Sequence, residues 1–210
     1  MTSASRKRSR QVSSQARRIQ LRVFAEGKKT EDIYLTNWSR LYRDRVIVSM
    51  ATHKHTTPFE LTEAAVRERG NDIREARRGR GAAFHQYWCI FDVDEHPKIP
   101  EALSLAAANN ISVALSSPCI ELWFLIHFED QTAYIDRREA QRRSKEILGC
   151  DKALNPAALD LLVENFDAAK VRAKILEIKH IGDVSPQPWN PCSTVWKIVD
   201  EIMRTPPVTS

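Results

Sequence analysis

Three acidic residues stand where chemistry could be done. Glu26 ends the β-rich stretch that holds Ile19, Leu21, Val23 and Phe24 and precedes Gly27, while Asp92 and Asp94 follow the run Gln-Tyr-Trp-Cys-Ile-Phe at 86–91. Two carboxylates two residues apart at the end of an extended segment point to one side, so both can converge on a cation. Hard divalent ions such as Mg²⁺ take carboxylate oxygens and usually keep several waters. If both runs are strands of one parallel sheet, their C-terminal ends share an edge, and ligands collect at that edge. Glu26, delivered there by a neighbouring strand, completes a set of three carboxylates. Singly, an acid after a strand is an ordinary turn residue. Two clusters on one edge point to function.

Such an edge needs strands joined by helical crossovers, and the chain alternates accordingly. Ile19, Leu21, Val23 and Phe24 form a β-rich run. Thr30-Glu31-Asp32 then opens a helix, with Thr30 as its cap and the acids at the positive end of its dipole. Residues 46–48 read as a second strand, 59–79 as a helix broken at Gly70-Asn71, and 86–91 as a third strand. An Ala/Leu helix at 100–108 and a fourth strand at 111–115 follow. From Leu122 the chain reads as helical, and Asn155-Pro156 starts the clearest helix, periodic from Leu159 to Leu176. The pattern predicts an α/β fold: a parallel sheet of about four strands flanked by helices, with a helical C-terminal part. The expected organisation is a disordered basic arm at 1–18, an α/β core at 19–130, a helical region at 131–204 packed on that core, and a flexible tail at 205–210.

Composition narrows the class. The 210 residues are 42% hydrophobic and 28% charged, which excludes a mainly disordered chain. The net charge of +5 is a property of the arm: Arg6, Lys7, Arg8, Arg10, Arg17 and Arg18 stand there without an acid, and the remainder carries 26 basic against 27 acidic residues. No apolar stretch follows the basic start, so no signal peptide is expected. The charge-free run 102–120 contains Asn109, Asn110, Ser116, Ser117 and Pro118 and reads as a helix, a turn and a strand, not a membrane span. The four cysteines form no Cys-x-x-Cys pair. The expectation is a cytoplasmic protein with no membrane segment, disulfide frame or structural zinc.

The blocks Phe24-Ala25-Glu26-Gly27-Lys28-Lys29-Thr30-Glu31, Trp88-Cys89-Ile90-Phe91-Asp92-Val93-Asp94-Glu95-His96 and Ser117-Pro118-Cys119-Ile120-Glu121-Leu122-Trp123 together resemble the RloB-like family, and Asn190-Pro191-Cys192-Ser193-Thr194-Val195 resembles that family's closing segment. A strand ending in Glu-Gly, a helix and a later strand ending in Asp-x-Asp also resemble the topoisomerase–primase (Toprim) fold. The resemblance implies a Toprim-like Rossmannoid sheet and a role in bacterial anti-phage or abortive-infection systems, with an ATPase partner encoded nearby. It also implies Mg²⁺ (or Mn²⁺) on Asp92 and Asp94, with Glu26 as general acid/base in cleavage of DNA or RNA. Glu31 and Glu121 stand in the matched blocks, as ligands of a second metal or the outer shell of the first, or as a plain helix-start acid and a loop residue. Lys29 is placed to contact phosphate.

Basic residues suggest where nucleic acid would run. With the arm, Arg77, Arg78 and Arg80 after the second helix and a later group from Arg137 to Lys145 would make a phosphate-tracking surface; both stretches also hold acids and read equally as solvated faces. His53 and His55 follow the second strand on the same edge as the carboxylates and suit substrate contact or exposure. His127, between Ile126 and Phe128, reads as a partly buried, satisfied residue. Two other functions compete. One is a non-catalytic nucleic-acid- or partner-binding subunit. The other is a phosphatase of the haloacid-dehalogenase kind, which needs its Asp-x-Asp after the first core strand, whereas two strands precede it here. Whether the chain forms a homo-oligomer is open.

Overall fold

The structure, a computed structural model, describes residues 18–27, 29–55, 57–93, 96, 98–181 and 190–204. The arm residues before Arg18, together with Asp94, Glu95 and the tail at 205–210, lie outside the described residues.

Four parallel strands run through the middle of the fold: β1 (Ile19–Ala25), β2 (Val46–Met50), β3 (Gln86–Asp92) and β4 (Ser112–Ser117). The sheet order is β2-β1-β3-β4-β5, and β5 (Cys192–Ser193) is antiparallel to β4. The crossovers are α1 (Thr30–Leu41), α2 (Pro58–Arg77) and α3 (Ile99–Ala108). After β4 come α4 (Ile120–Leu125), α5 (Arg137–Leu148), α6 (Pro156–Glu164), α7 (Phe166–Ile181) and α8 (Trp196–Met203).

Both faces of the sheet are covered. Leu21, Val23, Trp88 and Ile90 join the larger core, which includes Trp38, Trp123, Phe166 and Ile198. Phe24, Tyr87, Cys89 and Phe91 point the other way, onto Leu61, Ala65, Ala102 and Ala106 of α2 and α3. Burial on both faces is why β3 is apolar without alternation. The mixed α/β architecture is the expected one, with a short fifth strand contributed by the segment around Cys192.

Local chemistry departs from the expectations in three places. Thr30 is not the cap of α1: Lys29 occupies that position without a side-chain bond, and the Thr30 hydroxyl donates to Lys152 O at 3.0 Å. A long-range acceptor has outcompeted the local one. α2 passes through Gly70-Asn71 unbroken, held at its start by Thr57, whose hydroxyl accepts from Glu60 N. One interior Gly costs about 1 kcal/mol relative to Ala, too little to interrupt a 20-residue helix. Conversely, the period running from Leu159 to Leu176 is two helices, α6 and α7, divided at Asn165, whose side-chain amide donates to Leu161 O at 2.9 Å. Asn155 caps α6 as its type suggests, accepting from Ala158 N at 2.9 Å. Among the described residues no helix is long and apolar enough to cross a membrane.

Candidate active site

β1 and β3 are direct neighbours, so their ends bring Glu26 and Asp92 to one edge. Glu26 N donates to Ile90 O at 2.9 Å, which carries the pairing one residue past β1. The chain then turns at Gly27. A Cβ there would overlap the Glu31 carboxyl, so glycine is what lets Glu31 reach back from the first turn of α1. Glu121 arrives from the first turn of α4, Arg137 from the start of α5, and Lys152 from the segment after α5. With Lys29, these residues line one cleft of about 310 Å³.

The cleft is acidic and partly dry. Burial pushes the Asp92 carboxyl well above its usual range; the charge of Glu31 adds to this, Arg137 opposes it, and Glu121 and Glu26 add further. Glu31 is raised by burial first, then by the charges of Glu121 and Glu26, against backbone N–H bonds from its own turn. Glu26 is raised by burial and pulled back by His96, whose Nε2 lies 3.2 Å from Glu26 Oε1. Burial is the largest cause of all three shifts, and at Asp92 and Glu31 the charges of neighbouring carboxylates add to it.

The donor chemistry suits a hard divalent ion, since every acidic ligand is a carboxylate oxygen. Glu26 Oε2 is buried and accepts no hydrogen bond among the described residues, which leaves an acceptor in need of a positive partner. Asp92 Oδ2 is already engaged, 3.2 Å from Arg137 Nη2. Among the described residues no group of three His, Cys, Asp or Glu side chains stands together closely enough to hold a metal ion. Asp94, the second member of the expected pair, is not among those residues.

Of the residues singled out from sequence, Glu26, Lys29, Glu31, Asp92 and Glu121 therefore meet in one cleft. Arg77, Arg78 and Arg80, expected to track phosphate, do not join them. α2 leads back from the carboxylate edge to the start of β3, so Arg77, Arg78 and Arg80 stand at the opposite edge, where Arg78 and Arg80 pair with Glu75 at 3.1 and 2.5 Å. Arg18 precedes β1 at that same far edge and donates to Arg43 O. Arg6, Lys7, Arg8, Arg10 and Arg17 lie outside the described residues.

Two residues have no role in the sequence reading: His96, which bonds Glu26, and Lys152, which lines the cleft. His96 directly follows the acidic cluster, the one local signal that was present. Arg137, expected on a phosphate-tracking surface or a solvated face, reaches the cleft from the start of α5, and Lys152 reaches it from the segment after α5, which nothing near it in sequence announces. His53 does sit on the carboxylate edge: its Nε2 donates to Ala25 O at 3.1 Å, and its ring stacks between Phe24 and His55. It walls a second cleft of about 250 Å³ that adjoins the first across Gly27.

A family model described as RloB-like protein matches residues 21–202, nearly all of the described chain. No curated protein and no solved structure matches it.

Proposed function

We propose that this chain, which belongs to the RloB-like family, cleaves phosphodiester bonds in DNA or RNA with Mg²⁺ or Mn²⁺ bound in the carboxylate cleft, as an anti-phage effector working with an ATPase partner. The observation that carries this reading is the meeting of Glu26, Glu31, Asp92 and Glu121 with Lys29, Arg137 and Lys152 in one cleft at the C-terminal edge of parallel strands. A Glu at the end of one strand and an Asp at the end of its neighbour also resemble the Toprim arrangement.

Asp92 and Asp94, with Glu26, Glu31 or Glu121 beside them, would hold the ion. A bound ion would supply neutralisation of charge developing on the phosphoryl oxygens. The protein's own groups do the rest. Glu26 is raised by burial toward the range in which a carboxyl both takes and gives protons at neutral pH. His96 hydrogen-bonds Glu26 Oε1 and so orients the carboxyl. Lys29 and Lys152, at the rim of the cleft, would receive phosphate oxygens, and Arg137 would exchange its pairing with Asp92 for one with the substrate.

The Arg137–Asp92 pair also favours a second reading, a non-catalytic nucleic-acid- or partner-binding subunit, because an internal cation already compensates the central acid. One experiment separates the two: incubation of single- and double-stranded DNA and RNA with the protein and Mg²⁺ or Mn²⁺, with and without the ATPase encoded nearby. Cleavage that falls by ~10²–10⁴-fold in Glu26→Gln supports the enzyme. Absence of cleavage under all these conditions, with nucleic acid still bound, assigns the binding role.

A further inference from the structure

α7 is apolar on two opposite faces, and only one of them serves the fold. Its inner face buries Phe166, Ala169, Ala173, Leu176 and His180 against the core. On the other side Val171, Ile175 and Ile178 are 58, 54 and 68% exposed, and Ile181 is 79% exposed. The spacing of the first three, i, i+4 and i+7, places them in one row along the helix. Scattered exposed aliphatics need no account, but a row of β-branched side chains opposite a buried face does. Anchors at i, i+4 and i+7 are the recognition pattern of a helix that packs against a helix or groove of a partner.

The flanks of the row say what kind of partner. Lys174 and Lys179 lie on its two sides, and neither has an acidic partner among the described residues: Lys174 Nζ sits over the Trp196 ring at 4.8 Å, and Lys179 Nζ donates to Thr132 O. The nearby Lys170 and Arg172 are by contrast committed to Asp200 and Asp130. A second copy of α7 packed on the first would set these uncompensated lysines against their own counterparts. Charge disfavours self-association and fits a helix with acidic flanks.

We infer that the outer face of α7, centred on Val171, Ile175 and Ile178 and flanked by Lys174 and Lys179, is a docking surface for an amphipathic helix of another protein whose apolar row is bordered by Asp or Glu. The inference is independent of the chemistry proposed for the cleft, which lies at the strand ends and shares none of these residues.

The test is photo-crosslinking in cells from position 168, where exposed Ala168 of the full chain is replaced by benzoylphenylalanine, one turn before the row and leaving it intact. The crosslinked peptide is then sequenced. The expected product is a segment of a different protein with aliphatic residues at helical spacing and a net negative border. Its yield should fall at least tenfold in Ile175→Glu, and likewise in the double variant Lys174→Glu, Lys179→Glu, with the melting temperature of each variant unchanged. A crosslink to a second copy, or within the chain to residues 182–189 or elsewhere, overturns the inference. So does a partner segment without acidic flanks, a yield indifferent to charge reversal, or no crosslink at all.

Discussion

Asp92 shows how a single carboxyl can be placed against the interest of the fold. It ends β3 in the buried layer, so its charged form is hydrated poorly and surrounded by like charges. The direction of its shift sets the pH dependence. Below the ordinary value of 3.8 the carboxyl is protonated in folded and unfolded chains alike and contributes no difference. As pH rises above that value the unfolded chain ionises first while the folded one holds its proton, so stability declines until the folded carboxyl ionises too. Asp92→Asn removes the charge and should therefore stabilise the metal-free protein at neutral pH, by up to about 1.4 kcal/mol for each pH unit of the window. The gain should vanish near pH 4. Urea unfolding of both proteins at the two pH values measures it. An equal effect at both, or a loss at neutral pH, would show that the Arg137 pairing outweighs burial, and the cleft would then have no electrostatic need of a cation.

At the scale of elements, α2 offers the cleanest measurement. Gly70 lies in its interior without a positive φ, and an added Cβ would meet only Arg74 Nη1 at 3.7 Å, an ordinary contact. Gly70→Ala should thus stabilise the protein by roughly 0.5–1 kcal/mol, seen as a higher denaturation midpoint at constant m. A true break at that position, as the Gly-Asn pair suggested from sequence, would instead make the substitution neutral or harmful. β3 was legible in sequence because burial on both faces leaves Tyr87 to Phe91 apolar without a break, and β1 because Leu21, Val23, Phe24 and Ala25 supply β-rich, buried positions; Glu26 and Asp92 were legible because they follow those runs. β5 was not, since two residues carry no periodicity and Cys192 and Ser193 form a strand only because β4 offers a free edge. The return of Arg137 and Lys152 to the cleft was equally hidden. Lys152 meets α1 through a bond from Thr30 that spans 122 positions in the chain. What sequence conceals here is tertiary return, and it conceals it in the same cleft where the carboxylates were plain.

For the molecule as a whole, charge is arranged by edge: carboxylates gather where the parallel strands end, and Arg18, Arg78 and Arg80 stand where they begin. Between the sheet and the C-terminal helices, α4 carries the larger core, and at its end His127 is almost wholly buried. The expectation of a satisfied histidine is half met. Its Nδ1 donates to Trp123 O at 2.7 Å, while Nε2 is buried with no partner among the described residues. Arg172 of α7 ties the carbonyls of Ile126 and His127 to the helical layer, so protonating this ring would disturb the junction of both layers. Burial lowers its pKa from 6.5 to about 3, with the Arg172 charge acting in the same direction and the Trp123 carbonyl opposing. The unfolded chain therefore takes up a proton as pH falls below 6.5, while the folded chain refuses it until about 3. Stability drops across that interval by up to about 1.4 kcal/mol per pH unit, opposite in sign to the Asp92 effect. His127→Phe keeps the ring that packs edge-on against Trp123 at 4.6 Å and removes the titration. Losing the bond to Trp123 O should leave the variant less stable at neutral pH, by about 0.5–1.5 kcal/mol. Its stability should then decline less on acidification, so that the two unfolding curves converge and cross between neutral pH and pH ~4. Parallel curves across that range would place the acid sensitivity of the fold elsewhere and rule out His127 as the group that releases the two layers.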